Sequence, residues 1–149
     1  MAISNALANK YEADIIDNAF NTSASGNYTK PTAIWVGLCT GALPDGTTFP
    51  EVTQASYSRV AITLSPAASA TAGSIPTCQV TGPAASVAYP AATAAWGTVY
   101  GYGLFKASSG VSSTGVSQYL SYGEISPTVA VVSGDTVSFA SGAMTFQFG

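Results

Sequence analysis

Every apolar run in this chain is short, because Gly, Pro, Ser or Thr interrupts it after a few residues. Apolar and polar residues alternate within the runs, and dipeptides such as Ser126-Pro127 and Ser141-Gly142 separate them. Side chains of a β-strand point alternately to the two faces of a sheet, so this alternation predicts short strands joined by turns. Four of these strands are expected in the last quarter, at 116–125, 128–132, 136–140 and 143–148.

Short strands at such close spacing are typical of an antiparallel β-sandwich or a barrel. The length of 149 residues corresponds to one domain of ordinary size. We therefore expect an all-β protein, in which residues 1–149 form a single β-sandwich domain. No sequence repeat suggests a propeller or a solenoid.

The segment 32–40 is the clearest strand of the first half. Its even-numbered apolar residues share one face, while Trp35 and Cys39 occupy the other. A strand with apolar side chains on both faces is typical of the centre of a sheet, where both faces are covered. We expect this strand to be central.

The segment 57–64 also alternates. The pattern places its even-numbered apolar residues in the core and directs Tyr57, Arg59, Ala61 and Thr63 outward. This strand is therefore expected to have one solvated face.

An aromatic strand is expected at 98–105. Tyr100 and Tyr102 are two positions apart, so they would lie on one face of it. The segment 91–97, just before this strand, is predicted to be a turn of helix or a tight crossover fixed by the indole of Trp96. Two shorter strands are expected, at 78–81 and 87–89.

The only helical pattern lies at residues 4–20. Leu7, Tyr11 and Ile15 recur every four positions, and charged residues occupy the opposite side. Ser4 is a suitable N-cap. The pattern predicts one N-terminal amphipathic helix whose apolar stripe needs a cover.

Charge is scarce. Only 7% of the residues are charged, against about 25% in an ordinary domain, and the formal net charge is −3 with no histidine. Four scattered Lys and Arg residues cannot neutralise a run of phosphates, so nucleic acid is not an expected partner. Without histidine, His-based catalysis and His metal sites are excluded. No apolar run has the length of a membrane span, and we expect neither a metal nor a cofactor.

The N-terminus lacks the basic start and unbroken apolar stretch of a secretory signal, so synthesis in a cytoplasm is expected. Cys39 and Cys78 are then predicted to be small apolar core residues, with a disulfide formed after release into an oxidising medium as the alternative.

Paired carboxylates are the one catalytic device left, with Glu51, Glu124 and Asp135 as candidates. Each has a structural explanation. Asp135 can close the turn that begins at Ser133, Glu124 ends a strand, and Glu51 lies in a loop. We therefore expect no enzymatic activity.

A neutral surface of small residues costs little to desolvate, whereas each buried charge must be paired. Surfaces of this kind are typical of subunits in permanent assemblies. A homo-oligomer, either a dimer or a trimer, is expected. The candidate contacts with other subunits or a shell are Leu7, Tyr11, Ile15, Phe49 and Ile75.

Taken in order, several segments of the chain resemble a family of small tailed-phage virion proteins that are labelled tail-fibre-like or capsid decoration. The segments that carry the resemblance are Ile15-Ile16-Asp17-Asn18-Ala19-Phe20, Ile34-Trp35-Val36-Gly37-Leu38-Cys39-Thr40, Tyr57-Ser58-Arg59-Val60-Ala61, Ala91-Ala92-Thr93-Ala94-Ala95-Trp96-Gly97-Thr98-Val99 with Gly103-Leu104-Phe105, and Ser133-Gly134-Asp135-Thr136-Val137-Ser138-Phe139 with Gly142-Ala143-Met144-Thr145. The resemblance implies a non-enzymatic β-sandwich with an N-terminal helix, present in many copies in a virion that assembles in the cytoplasm of a bacterial host.

Length favours the head over the tail, since one such domain cannot supply both a fibre shaft and a receptor-binding tip, and no heptad or collagen-like repeat is present. The leading hypothesis is a capsid decoration or cement protein that binds the major capsid protein and stabilises the assembled head. The alternative is a tail-fibre or tail-tip module that binds host-surface glycans through Tyr100, Tyr102 and Tyr122. An exported pilin-like subunit is a third hypothesis.

Overall fold

A computed structural model of the chain describes residues 5–7, 33–42, 49–63, 77–79, 86–109, 119–140 and 143–147. Within these ranges the regular structure consists of nine β-strands. They are β1 (Asn5–Leu7), β2 (Ile34–Cys39), β3 (Val60–Ile62), β4 (Thr77–Gln79), β5 (Val87–Ala88), β6 (Gly97–Phe105), β7 (Tyr119–Val131), β8 (Ser138–Phe139) and β9 (Thr145–Gln147). No helix in the described part of the chain is long and apolar enough to cross a membrane.

The principal sheet has five strands in the order β1-β7-β6-β2-β3, and every neighbouring pair is antiparallel. Two further antiparallel pairs, β4-β9 and β5-β8, stand apart from it. The all-β antiparallel architecture expected from the alternating runs is therefore confirmed. β2 lies between β6 and β3, so it is an interior strand, as its two apolar faces predicted, although β6 is the middle strand of the five.

The core fills one face of the principal sheet. Val36 and Leu38 of β2, Val99 and Tyr102 of β6, and Val131 of β7 are almost completely buried there. Burying a side chain of this size contributes about 1.5–3 kcal/mol. A second group of residues covers this face from outside the sheet: Val87, Tyr89, Ala92, Trp96, Val137 and Met144. Two packed layers of this kind fit the expected sandwich.

The long strand β7 is interrupted. Val129 pairs with Val99 of β6, whereas the next pair along joins Glu124 to Gly101, so residues 125–128 bulge out of the ladder. The sequence predicted two strands separated by Ser126-Pro127, and the irregularity falls at that dipeptide. Proline has no N–H to donate to the ladder, which is the physical reason for a break there.

The N-terminal helix predicted for residues 4–20 is not supported. Asn5, Ala6 and Leu7 form β1, whose residues pair with Gly123, Tyr122 and Ser121 of β7. Pairing with a sheet edge satisfies backbone groups that a first helical turn would leave open, and it overrides the local periodicity. The other positions of the predicted helix, including Tyr11 and Ile15, lie outside the described residues.

The outward orientation predicted for Arg59 is wrong. This side chain is buried, while Ala61 on β3 is exposed as predicted. β3 begins only at Val60, so Arg59 belongs to the preceding irregular segment, where the alternation of a strand does not apply.

Candidate functional site

A charged cluster of Glu51, Tyr57 and Arg59 lies beside β2. Arg59 donates from Nε to Glu51 Oε1 at 2.7 Å and from Nη2 to Glu51 Oε2 at 2.6 Å. Tyr57 Oη donates to Glu51 Oε1 at 2.7 Å. The third nitrogen of the guanidinium, Nη1, donates to the Ala107 carbonyl at 2.8 Å, and the group lies 3.6 Å from the centre of the Phe105 ring. Each of the three guanidinium nitrogens therefore donates a hydrogen bond.

This cluster completes the edge of β2. β3 pairs with β2 only as far as Val36, and the chain around Glu51 continues the edge, with Val52 N donating to the Leu38 carbonyl at 3.0 Å. Between the two, Leu38 N donates to Tyr57 Oη at 2.8 Å. The side chain of Tyr57 thus supplies a hydrogen bond where no neighbouring strand can do so.

The environment of Tyr57 keeps its hydroxyl protonated. Burial raises its pKa, and so does the negative charge of Glu51. Burial likewise raises the pKa of Tyr89, whose ring stacks on that of Tyr57, and raises the pKa of Tyr102 to about 12. These groups act at neutral pH as hydrogen-bonding and packing groups.

The other two carboxylates lie apart from this cluster. Asp135 Oδ2 accepts from Val132 N at 2.9 Å, so the prediction that it closes its turn is confirmed. Glu124 is exposed on β7, opposite Gly101. In the part of the chain that the structure describes, no group of three or more His, Cys, Asp or Glu side chains could hold a metal ion.

Three turns meet at one end of the molecule and form what we call the three-turn end: residues 54–57, 91–96 and 132–135. Thr93 N donates to Ser56 Oγ at 3.0 Å, which joins the first turn to the second. Ser133 Oγ donates to the Thr93 carbonyl at 3.2 Å, and Gly134 N donates to the Ala92 carbonyl at 2.7 Å. The third turn is thereby fixed to the second.

Trp96 packs between the three-turn end and the core. Its indole is buried, its ring packs edge-on against Tyr57 and Tyr89, and its backbone N donates to the Val131 carbonyl at 3.0 Å. Of the two structures predicted for 91–97, the crossover fixed by an indole is therefore present, and the turn of helix is not formed. The exposed side chains of the three turns are mostly those of Ala, Ser and Thr, and the one carboxylate, that of Asp135, accepts a hydrogen bond within its own turn.

An exposed apolar strip continues from the three-turn end along β6 and β7. Tyr100, Val129 and Val132 are 44%, 41% and 56% exposed. Val129 pairs with Val99, the neighbour of Tyr100 in the chain. We call these three residues, with the chain from 125 to 134, the neutral strip, because no residue in that range is charged.

The three tyrosines predicted as glycan contacts do not share one exposed face. Tyr100 is exposed, Tyr102 is only 1% exposed in the core, and Tyr122 is partly buried against Phe105. The irregular register between Val99 and Gly101 shifts the alternation by one residue, so the expected common face of Tyr100 and Tyr102 is not formed. A glycan-contact role for Tyr100 and Tyr122 stays a prediction.

Phe49, predicted as a contact with another protein, is engaged within the chain. Its ring lies edge-on to Phe105, with centroids 5.1 Å apart, and against Gly103 of β6. Its part in any contact between proteins stays a prediction. Leu7 lies in β1, but the structure does not describe its side chain. Ile75 lies outside the described residues.

Cys39 is a buried free thiol, as predicted for a core residue. Its Sγ donates to the Gly41 carbonyl at 3.1 Å, and burial raises its pKa. Cys78 lies in β4, and its side chain is outside the description.

The sequence pattern predicts neither the charged cluster of Glu51, Tyr57 and Arg59 nor the three-turn end. The sequence pattern places Glu51 in a loop and directs Arg59 outward, and it predicts the turns at 91–97 and 133–135 without relating them to each other. The one available signal is that Glu51 and Arg59 are opposite charges in a nearly uncharged stretch of chain. No local pattern shows that the turns meet.

The family described as podophage GP4 fiber I protein gp80 matches residues 2–147. Among curated proteins, no match was found.

Proposed function

This chain belongs to the family of the podophage GP4 fiber I protein gp80, and we propose that it is a structural subunit of a phage fibre. The match over residues 2–147 carries this proposal, because it spans nearly the whole chain and not one shared motif. Membership also confirms the resemblance to tailed-phage virion proteins and makes the chain a virion structural protein.

The family description favours the fibre alternative over the capsid-cement hypothesis. The preference for cement rested on length, since one small domain cannot form both a shaft and a tip. That argument holds only if one chain must build the whole fibre. A fibre assembled from several different proteins has room for a subunit of 149 residues.

The structure supports a role in permanent contacts. Glu51 and Arg59 bond each other, and Asp135 bonds within its turn, so these charges are not directed at a partner. The three-turn end exposes mostly Ala, Ser, Thr and Gly, with Asp135 as its one charge, on a backbone held by hydrogen bonds between turns. A surface of this kind loses little hydration and little conformational freedom when another protein covers it. We propose that it packs against a neighbouring fibre subunit.

The position of the protein on particles tests this proposal. Purified virions would be labelled with gold-conjugated antibodies raised against the whole chain and imaged by electron microscopy. Gold on the fibres is the expected result. Gold spread over the outer surface of the head would overturn the fibre proposal and support cement. Antibodies absorbed with the purified chain serve as the control.

Virions that lack the protein give a second, independent measurement. A fibre subunit contributes nothing to the head shell, so the temperature at which the head releases its DNA should equal that of complete virions. A cement protein adds contacts between shell subunits, and its loss should lower this temperature. A clear lowering would contradict the fibre role.

A further inference from the structure

The segment 49–59, which we call the strap, passes around the edge of β2 from one face of the sheet to the other. Glu51 Oε1 would lie 2.7 Å from a Cβ at Gly37, and the guanidinium of Arg59 lies 3.6 Å from the centre of the Phe105 ring. Side chains alternate along a strand, and the residues that precede Gly37 and Phe105 are in the core. The charged pair of the strap therefore covers the face opposite the core.

The strap also reaches the core face. Val52 is 4% exposed in the core, and the Tyr57 ring packs against Tyr89 and Trp96. Between these contacts, residues 53–55 are exposed. The strap is thus held at separate anchor points on the two faces and not along its whole length.

The anchor points are joined through one carboxylate. Glu51 accepts hydrogen bonds from Tyr57 Oη and from two nitrogens of Arg59. Tyr57 Oη in turn accepts from Leu38 N at 2.8 Å. Each of these bonds polarises the next, and the loss of one leaves a charged or buried polar partner poorly satisfied. Bonds that are linked in this way break together.

The rest of the sheet does not depend on the strap. β2 pairs with β6 over residues 35–39 and with β3 over residues 34–36, and neither ladder includes a strap residue on the β2 side. The strap itself contains a strained residue, Ser56, whose φ is +69°. A non-glycine residue keeps this conformation only while its surroundings enforce it, so release of the strap relieves the strain.

We propose that the strap closes over the edge of β2 as one cooperative unit, and that it opens as one unit while the rest of the sheet stays folded. Open and closed straps are then two states of the folded protein. In the open state the N–H and carbonyl of Leu38 and the N–H of Thr40 become an unpaired strand edge. This device does not depend on the fibre assignment, because it is built from contacts within one chain.

Three amides report on the closed strap, and we call them the strap amides. Leu38 N donates to Tyr57 Oη, Thr40 N donates to the Pro50 carbonyl at 2.8 Å, and Val52 N donates to the Leu38 carbonyl at 3.0 Å. A strand directs consecutive N–H groups to its two sides. The intervening amides of β2, those of residues 37 and 39, therefore face β6 and serve as internal references.

Native-state hydrogen exchange of the whole chain, followed by NMR, tests the proposal. The protection factors of the three strap amides should agree within about threefold, since one opening exposes all of them. They should lie at least about tenfold below those of the reference amides, which exchange only when the sheet unfolds. Protection along β2 should therefore alternate with a period of two residues.

Tyr57→Phe tests the link between the anchor points. It keeps the ring against Tyr89 and removes the hydroxyl between Leu38 and Glu51. The protection of all three strap amides should fall together, by about tenfold.

Tyr89→Phe is the matched control. It also removes a buried hydroxyl that bonds β2, because Tyr89 Oη donates to the Val36 carbonyl at 3.0 Å. This bond is present whether the strap is open or closed. The control should therefore lower the protection of the reference amides and leave that of the strap amides unchanged.

Three results would overturn the proposal. Equal protection of strap and reference amides in the wild type would show that the edge of β2 opens only with the whole sheet. A loss confined to Leu38 in Tyr57→Phe would show that the bonds break singly. An equal loss at the strap amides in Tyr89→Phe would show that they report on the core and not on the strap.

Discussion

The segment 49–59 and the three-turn end are fixed to the same core by different chemistry. The segment is held by an ion pair between buried Arg59 and half-buried Glu51, and by the hydroxyl of Tyr57. The three-turn end is held by backbone groups and short hydroxyl side chains, with no charge shared between its turns. The first arrangement needs both charged partners at once, whereas the second distributes its stability over many small neutral contacts.

This difference explains how a chain with few charges uses them. A buried ion pair leaves a costly unpaired charge if either partner is lost, so it makes a small number of residues critical. The hydrogen bonds of the three-turn end contribute about 0.5–1.5 kcal/mol each, so the loss of one is tolerated. The ion pair lies against the core, and Asp135 is the one charged residue of the exposed three-turn end.

Replacement of Arg59 tests the critical partner and has the largest expected effect. Arg59→Ala leaves Glu51 without its ion-pair partner and removes the stack on Phe105. The free energy of unfolding should fall by about 3–5 kcal/mol, measured by urea denaturation. Glu124→Gln, at an exposed carboxylate outside the cluster, should change it by less than about 0.5 kcal/mol. Equal small losses in both variants would show that the ion pair does not hold the segment.

Replacement of Gly37 tests how closely Glu51 packs against β2 in the same cluster. A Cβ at this position would lie 2.7 Å from Glu51 Oε1 and 2.8 Å from Phe105 Cε2. Gly37→Ala should therefore push the carboxylate away from Arg59 and lower the free energy of unfolding by about 1–3 kcal/mol. In the Arg59→Ala background the added loss should be smaller, because the pair is already broken. Full additivity would mean that the two sites are not coupled.

Alkaline unfolding tests the buried tyrosines. The pKa of Tyr102 is raised to about 12, above the value near 10 of an unfolded tyrosine. Above pH 10 the unfolded chain loses this proton while the folded chain keeps it, so stability falls by about 1.4 kcal/mol per pH unit up to pH 12. At pH 11 the wild type should have lost about 1.4 kcal/mol more than Tyr102→Phe, each relative to its own stability at pH 8. Parallel pH profiles would contradict burial as the cause.

Replacement of Gly134 tests the turns of the three-turn end and has the smallest expected effect. Its φ is +95°, and a Cβ would meet no atom within 4 Å, so only backbone strain opposes a side chain. Gly134→Ala should lower the free energy of unfolding by about 1 kcal/mol. Gly134→Asn should lose less, because Asn tolerates positive φ better than Ala does. A loss as large as that of Arg59→Ala would remove the contrast between the two regions.

Local patterns predicted the strands well where one strand face meets the core. The alternation at 32–40 and 98–105 corresponds to β2 and β6, and the segments at 136–140 and 143–148 contain β8 and β9. The helical periodicity at the N-terminus was misleading where β1 forms, because pairing with β7 outweighs a local preference. The common face of Tyr100 and Tyr102 failed because one irregular register step reverses the orientation of every later residue.

The sequence by itself determined an antiparallel all-β protein with a nearly uncharged surface, since both properties follow from composition and from a period of two residues. Tertiary structure alone decided which distant groups meet. Thr93 bonds Ser56, 37 residues before it, and accepts from Ser133, 40 residues after it. Such meetings depend on strand register and turn geometry over the whole sheet, and no short stretch of sequence encodes them.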